Sequence, residues 1–235
     1  MQDSKRQSMP ARHELKYYIN AAEIAALRMR LFPVMELDPH CKNGPYAIRS
    51  LYFDDAFDSA YYDKMDGVMH RDKYRIRIYN YSDETIFLER KRKAGDLIQK
   101  SSVRITSRLA DRIISGDPRG LQNSPNELLQ EMFVQMRTKL LRPRVIVDYV
   151  REAYVHPVED VRITLDMQLR TGLKNVDIVN PDIMTVNPHE RDLEILEVKY
   201  NRYLPAHIAG VLHGLSADRS AISKYVICRK FEPLK

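Results

Sequence analysis

The sequence predicts an antiparallel α+β domain in which about eight strands close into a barrel with helices at its periphery. Three features carry that expectation. Most apolar residues recur with a period of two, short polar breaks of hairpin length separate several of the runs, and no Gly/Ser-rich linker or internal repeat divides the 235 residues. A sheet of about eight strands tends to close, because closure removes its edges. Residues 11–235 are therefore read as one domain behind a polar, flexible N-terminal stretch at 1–10.

The elements follow in order. From Arg12 to Ile19 the letters alternate, with Leu15, Tyr17 and Ile19 on one face and Arg12, Glu14, Lys16 and Tyr18 on the other. Asn20 and Glu23 have the spacing of a capping box and open a helix to about Phe32. Tyr46 to Phe53 reads as a strand and Asp54 to Met65 as a short aromatic-rich helix. Strands are expected at Lys73–Tyr81, Thr85–Lys93 and Leu97–Ile105, with turns at Ser82-Asp83-Glu84 and Ala94-Gly95-Asp96. Helical spacing returns at Ser107–Ser115 and at Asn126–Leu140, with Pro125 placed in the first turn of the second helix. Further strands fall at Arg144–Tyr154, Val161–Gln168, more weakly Ile183–Val186, and Leu193–Tyr200. A helix at Pro205–Leu215 and a last segment at Ser223–Cys228 complete the chain.

Composition excludes several classes of function. Eight glycines are about half the usual share of roughly 7%. None is spaced as G-x-G-x-x-G or G-x-x-x-x-G-K-[ST], so any phosphate must be held by side chains rather than a glycine-rich backbone cradle. Cys41 and Cys228 are too few for a disulfide framework or a four-ligand zinc site. No apolar run approaches the roughly 18 residues of a membrane span, and no secretory signal is legible, so a cytoplasmic protein with reduced thiols is expected. The net charge of +6 also admits a nucleic-acid-binding reading. Basic residues that alternate with acids on strand faces argue against it, and no nucleic-acid partner is expected.

The charges fall on one side of the strands. Arg71, Lys73, Arg75 and Arg77 share a face opposite Tyr74, Ile76 and Ile78. Glu89 stands with Lys91, Lys100 with Ser102 and Arg104, Arg151 with Tyr149, Arg162 with Thr164 and Asp166, and Glu197 with Lys199. On one strand this pattern is that of an ordinary solvated face. Across six strands of a closed sheet it lines a lumen, and buried cations require a counter-charge. A narrow polyanion gripped by Arg forks and Lys ammoniums is implied. Glu89, Asp166 and Glu197 are expected either to neutralise Lys91, Arg162 and Lys199 or to hold Mg²⁺ or Mn²⁺ against phosphate. Arg90 and Arg92 alternate outward and are read as outer-surface charges.

The motifs Arg12-His13-Glu14-Leu15-Lys16-Tyr17, Ser50-Leu51-Tyr52-Phe53-Asp54, Tyr74-Arg75-Ile76-Arg77, Leu88-Glu89-Arg90-Lys91, Tyr149-Val150-Arg151, Arg162-Ile163-Thr164-Leu165-Asp166, Leu196-Glu197-Val198-Lys199 and Ser223-Lys224-Tyr225 occur in an order that resembles the VTC domain. This is the polyphosphate polymerase domain of the vacuolar transporter chaperone family, within the CYTH-like triphosphate tunnel metalloenzymes. The resemblance implies an eight-stranded antiparallel tunnel that binds ATP and polyphosphate. The implied reaction moves the γ-phosphoryl group of ATP to a polyphosphate end, with release of ADP and with Mn²⁺ or Mg²⁺. It assigns phosphate binding to Lys16, Arg75, Arg77, Lys91, Lys100, Arg151, Lys199 and Lys224. Of these, Arg75, Arg77, Lys91, Arg151 and Lys199 act on the transferring group. Glu197 is the implied metal ligand, with Glu89 a second candidate, and Arg162 with Asp166 an internal ion pair.

Other branches of that superfamily resemble each other in an E-x-E-x-K strand. The corresponding Phe87-x-Glu89-x-Lys91 has one of those two acids, which points away from hydrolysis. A triphosphatase in the same tunnel and a non-catalytic polyphosphate sensor are the competing readings. No transmembrane segment is expected, and the sequence leaves a membrane-protein partner open.

Overall fold

The computed structural model describes residues 13–231 except 96, 159, 190–192 and 217–218. Arg12, the stretch 1–10 and the turn residue Asp96 lie outside the described residues. The elements are β1 (His13–Ile19), α1 (Ala21–Leu31), β2 (Glu36–Leu37), a 3₁₀ turn (Pro39–Cys41), β3 (Tyr46–Asp54), α2 (Ser59–Met65), β4 (His70–Tyr79), β5 (Ser82–Ala94) and β6 (Leu97–Ile105). They continue with α3 (Ser107–Ile114), α4 (Glu127–Thr138), β7 (Arg142–Val155), β8 (Val161–Thr171), β9 (Glu194–Tyr200), α5 (Ala206–Val211) and α6 (Lys224–Lys230).

Local chemistry explains several boundaries. The Asn20 side chain accepts from the Glu23 amide while the Glu23 carboxylate accepts from the Asn20 amide, so α1 starts on a reciprocal cap. Asn126, not Pro125, opens α4 by accepting from the Leu128 and Leu129 amides, which leaves Pro125 outside the first turn. The β4–β5 turn lies two residues before its expected place, at Asn80 and Tyr81. Both have positive φ, 49° and 58°, and Tyr79 pairs with Ser82, which gives the twist a two-residue hairpin needs. Ser82 to Glu84 therefore belong to β5. The weak strand expected at Ile183–Val186 reduces to one bridge between Val186 and Thr171, and the two-residue strand β2 carried no periodic signal.

The sheet is antiparallel, has nine strands and is open, which corrects the closed eight-stranded barrel. Its order is β1-β9-β8-β7-β3-β4-β5-β6, with β2 added on β7. Among the described residues no ladder joins β1 to β6. Closure needs a matched tilt and stagger of the end strands as well as a suitable strand count. Here the sheet curls enough for β1 and β5 to meet through side chains, Lys91 reaching Glu14 at 2.9 Å, without a backbone ladder between the two end strands among the described residues. Charged residues on both end strands, Glu14 and Lys16 on β1 and Lys100 and Arg104 on β6, are the usual protection of an exposed edge.

Apolar faces of the strands point outward against helices. Leu51, Ile76, Leu88 and Ile146 pack with Ile113, Leu129, Met132 and Met136 of α3 and α4, and Ile163, Leu165, Leu196 and Val198 pack with Ile24, Leu27, Leu31 and Ile208 of α1 and α5. The last segment is not peripheral. Tyr225, Val226 and Cys228 of α6 lie on the inner face against Ile48, Val145, Val147 and Tyr149, and stop one end of the trough. Asp54 ties this plug to α2, accepting from the Ala60 and Tyr61 amides and from the Tyr225 hydroxyl. No helix of the described residues is long and apolar enough to cross a membrane.

Candidate phosphate-binding site on the concave face

Strand register builds the site. Arg75 stands opposite Glu89, Lys73 opposite Lys91, Lys91 opposite Lys100, Arg151 opposite Asp166, and Glu197 between Thr164 and Lys16. Because side chains alternate, these rows all face inward. The apolar residues between them point to the helices, so burial of the core holds the polar faces together.

Glu89 is buried beneath three cations. Arg75 donates to it from Nε at 2.7 Å, Lys100 lies at 2.6 Å and Arg77 at 3.7 Å. Burial alone would raise the Glu89 pKa, but these three charges outweigh it and bring it down to about 2. Arg75 also donates to the Tyr52 hydroxyl at 2.7 Å, and Arg77 to Ser50 Oγ and the Tyr149 hydroxyl, each at 3.2 Å.

A second group surrounds Asp166 and Glu197. Arg151 forks onto Asp166 at 2.6 and 2.7 Å, and Lys224 sits 2.5 Å from Asp166 and 2.9 Å from Glu197. Lys16 at 3.2 Å, Lys199 at 3.0 Å and Arg151 at 3.9 Å complete the ring about Glu197. Despite complete burial, these cations hold Glu197 well below the ordinary carboxylate range. Tyr149 lies between the groups, its ring facing Arg151 at 5.3 Å and Lys224 at 4.9 Å. Burial raises its hydroxyl pKa, yet Arg151 and Arg77 bring it below the usual 10.

Glu14 joins the two groups. It lies 2.9 Å from Lys91, 3.4 Å from Lys16 and 3.8 Å from Lys199. Burial opposes its ionisation, but these lysines lower it to about 2. Sequence reasoning passed over Glu14, although it precedes Lys16 by two residues on the same strand face. Ser50, Tyr52 and Tyr149 stand in the motifs that carry the resemblance, which give them no role of their own.

All eight basic residues named from the sequence, Lys16, Arg75, Arg77, Lys91, Lys100, Arg151, Lys199 and Lys224, are in this network. Several expected partners differ. Lys91 pairs with Glu14 rather than Glu89, because Glu89 is directly opposite Arg75 on the neighbouring strand. Asp166 pairs with Arg151 and Lys224, while Arg162 turns to Asp38 at 3.1 Å. Arg104 donates to the Glu84 carbonyl at 2.6 Å, and Arg71 to the Val68 carbonyl, outside the network. Arg90 is not a surface charge. It is buried against Ser101 and Glu131 of α4, beside Arg92, which forks onto Asp72.

Within this network, among the described residues, eight cations thus face four carboxylates, an excess of four positive charges, and Lys73 faces inward beside it. Lys91 and Lys100 keep about half of their side-chain surface in solvent, which marks the open side. Such a surface can take up a compact polyanion by exchanging internal carboxylate partners for phosphate oxygens. Among the described residues no three His, Cys, Asp or Glu side chains form a metal cage. Glu197 and Glu14, which share Lys16 and Lys199, supply the hard oxygen donors that Mg²⁺ or Mn²⁺ accept when phosphate provides other ligands.

Comparison with protein families matches residues 11–231 to the VTC domain. No curated protein matches the chain. Among solved structures, a "putative adenylate cyclase" from Bacillus halodurans is similar at 10% identity, covering 86% of this chain and 85% of that one with a TM-score of 0.49. A likeness at that level carries no argument about this chain.

Proposed function

The chain belongs to the VTC domain family, and on that premise we propose that it is a metal-dependent polyphosphate polymerase, transferring the γ-phosphoryl group of ATP to the end of a polyphosphate chain and releasing ADP. The observation that supports this reading is the excess of four positive charges in the network on the concave face. A triphosphate group is an anion of matching size and charge.

A terminal phosphate oxygen of the chain attacks the γ-phosphorus, the bond from that phosphorus to the β-bridging oxygen breaks, and ADP carries the electron pair away. Such a transfer demands positioning and charge stabilisation more than a covalent nucleophile. The Arg75 and Arg77 forks, hydrogen-bonded to Tyr52, Ser50 and Tyr149, would grip equatorial oxygens. Lys91 on the neighbouring strand β5, with Arg151 on β7 and Lys199 on β9, would meet the leaving and attacking phosphates. The acceptor is already anionic near neutral pH, so no strong base is needed. Bound Mn²⁺ or Mg²⁺ on Glu197, with Glu89 as a second candidate, would supply charge neutralisation between neighbouring phosphates. Either carboxylate would have to give up internal cations to take a metal, three at Glu89 and four at Glu197.

The open sheet gives water a route to the same centre and favours triphosphate hydrolysis as the second reading. The buried thiols of Cys41 and Cys228 support placement in the reducing cytoplasm. Incubation with ATP and Mn²⁺, followed for ADP, orthophosphate and polymer, tests the assignment. ADP with a phosphate polymer is expected. Orthophosphate without polymer moves the assignment to hydrolysis, and tight binding without turnover leaves a sensor. Arg75→Ala should weaken tripolyphosphate binding about 10- to 100-fold through loss of charge-assisted hydrogen bonds. Unchanged binding would remove Arg75 from the site.

A further inference from the structure

We infer that the cleft between α2 and residues 220–223 is a second phosphate subsite, which holds the stretch of a polyphosphate chain beyond the reacting triphosphate. The inference rests on the proposed function and extends it beyond the eight site residues, of which Lys16 borders the cleft.

The cleft has a volume of about 320 Å³, and Tyr18, Lys64, Ser220, Ser223 and Lys230 are among its lining residues. Lys73 lies behind the lining and touches it at one residue, donating to Ser223 Oγ at 3.0 Å and lying 5.2 Å from the Tyr225 ring centre. Two residues along β4 separate Lys73 from Arg75, about 6.6 Å of strand, so Lys73 is one step past the Arg75–Glu89 pair. The cleft wall is continuous with the main site through Lys16. Lys16 Nζ donates to the Ile222 carbonyl at 3.3 Å, and the Ser220 amide donates to the Lys16 carbonyl at 2.9 Å.

Charge separates this cleft from the main site. Each of the eight cations there has a carboxylate within 4 Å, the longest first contact being Arg77 to Glu89 at 3.7 Å. Among the described residues Lys64, Lys73 and Lys230 have none. Lys73 is instead surrounded by like charges, from Lys64 on α2, Arg71 on its own strand, Lys91 on β5 and Lys16 on β1, and burial with this repulsion lowers it to about 7. Lys64 is lowered by burial and by Arg71, Lys16 and Lys93. Cations drawn together with no internal acid are stabilised by an anion from outside. Lys64 and Lys230 with the Ser220 and Ser223 hydroxyls, on a wall completed by Tyr18 and apolar side chains, suit a linear phosphate chain, and the cleft adjoins the main site at Lys16.

Calorimetric titration of the full chain with tripolyphosphate and with long-chain polyphosphate tests this, in the wild type and in Lys64→Ala and Lys230→Ala, with folding checked by circular dichroism. Long-chain affinity should fall about tenfold in each variant, and the salt dependence of long-chain binding should become shallower, while tripolyphosphate affinity stays within about twofold. No loss of long-chain affinity, or an equal loss for both ligands, would overturn the subsite and leave the main site standing. A wild type that binds neither ligand would overturn the proposed function itself.

Discussion

Replacement of Asp166 by Asn separates two consequences of a cation-rich interior. Asp166 is completely buried and takes three short contacts, 2.6 and 2.7 Å from Arg151 and 2.5 Å from Lys224. Removal of one partner from a buried ion pair costs about 3–5 kcal/mol. Glu197 remains 2.9 Å from Lys224 and 3.9 Å from Arg151, and Asn keeps an acceptor oxygen, so about 2–4 kcal/mol is expected here. With a urea slope of about 2 kcal/mol per molar, the unfolding midpoint should drop by about 1–2 M. Loss of the carboxylate also raises the excess from four positive charges to five. At a separation of about 8 Å and an effective dielectric of about 40, one charge is worth about 1 kcal/mol, so tripolyphosphate should bind roughly fivefold tighter. Urea unfolding and calorimetry read the two effects in opposite directions. A midpoint shift below about 0.5 M, or weaker tripolyphosphate binding, would refute the view of Asp166 as an internal counterion displaced in function from phosphate oxygens.

Acid should destabilise the ligand-free protein through the same network. Glu14 and Glu89 have folded pKa values lowered from 4.5 to about 2, and Glu197 lies well below 4.5. The unfolded chain takes up protons near pH 4.5 while the folded site resists them, so the stabilisation present above about 4.5 should be lost as pH falls toward 2. Urea midpoints across that range check it, and Glu89→Gln should flatten the slope. Glu131→Ala removes the partner of buried Arg90 and of the Tyr74 hydroxyl on the outer face. It should cost about 2–4 kcal/mol in urea unfolding and leave tripolyphosphate affinity unchanged. A change in that affinity would contradict the separation of the two faces.

The strand faces were legible because alternation is a local property. Arg75 and Arg77 share a side of β4 whatever the rest of the chain does, and so do Glu197 and Lys199 on β9. Partner choice was less legible. One of the two readings of Glu89 pairs it with Lys91, two residues away on its own strand, yet Arg75 stands directly opposite it on β4. Likewise, Arg162 and Asp166 occupy one face, but Asp38, which caps the 3₁₀ turn, captures Arg162 and leaves Asp166 to Arg151 and Lys224. Arg90 was read as solvated because its alternation points outward. The Glu131 carboxylate that covers it comes from a helix 41 residues farther on.

Period and cap chemistry by themselves determined the antiparallel strands, the Asn20–Glu23 cap of α1 and the strand faces that carry Arg75, Arg77, Lys91, Lys100, Arg151 and Lys199, since each depends on neighbours within one element. The set of eight phosphate-binding residues came from the family resemblance. Only the tertiary structure decided that the sheet stays open, that α6 plugs it and brings Lys224 to Glu197 and Asp166, and that Glu14 links the two ion groups. Those outcomes depend on how far the sheet curls and on which distant side chains it brings within a few ångströms. No local pattern encodes that distance.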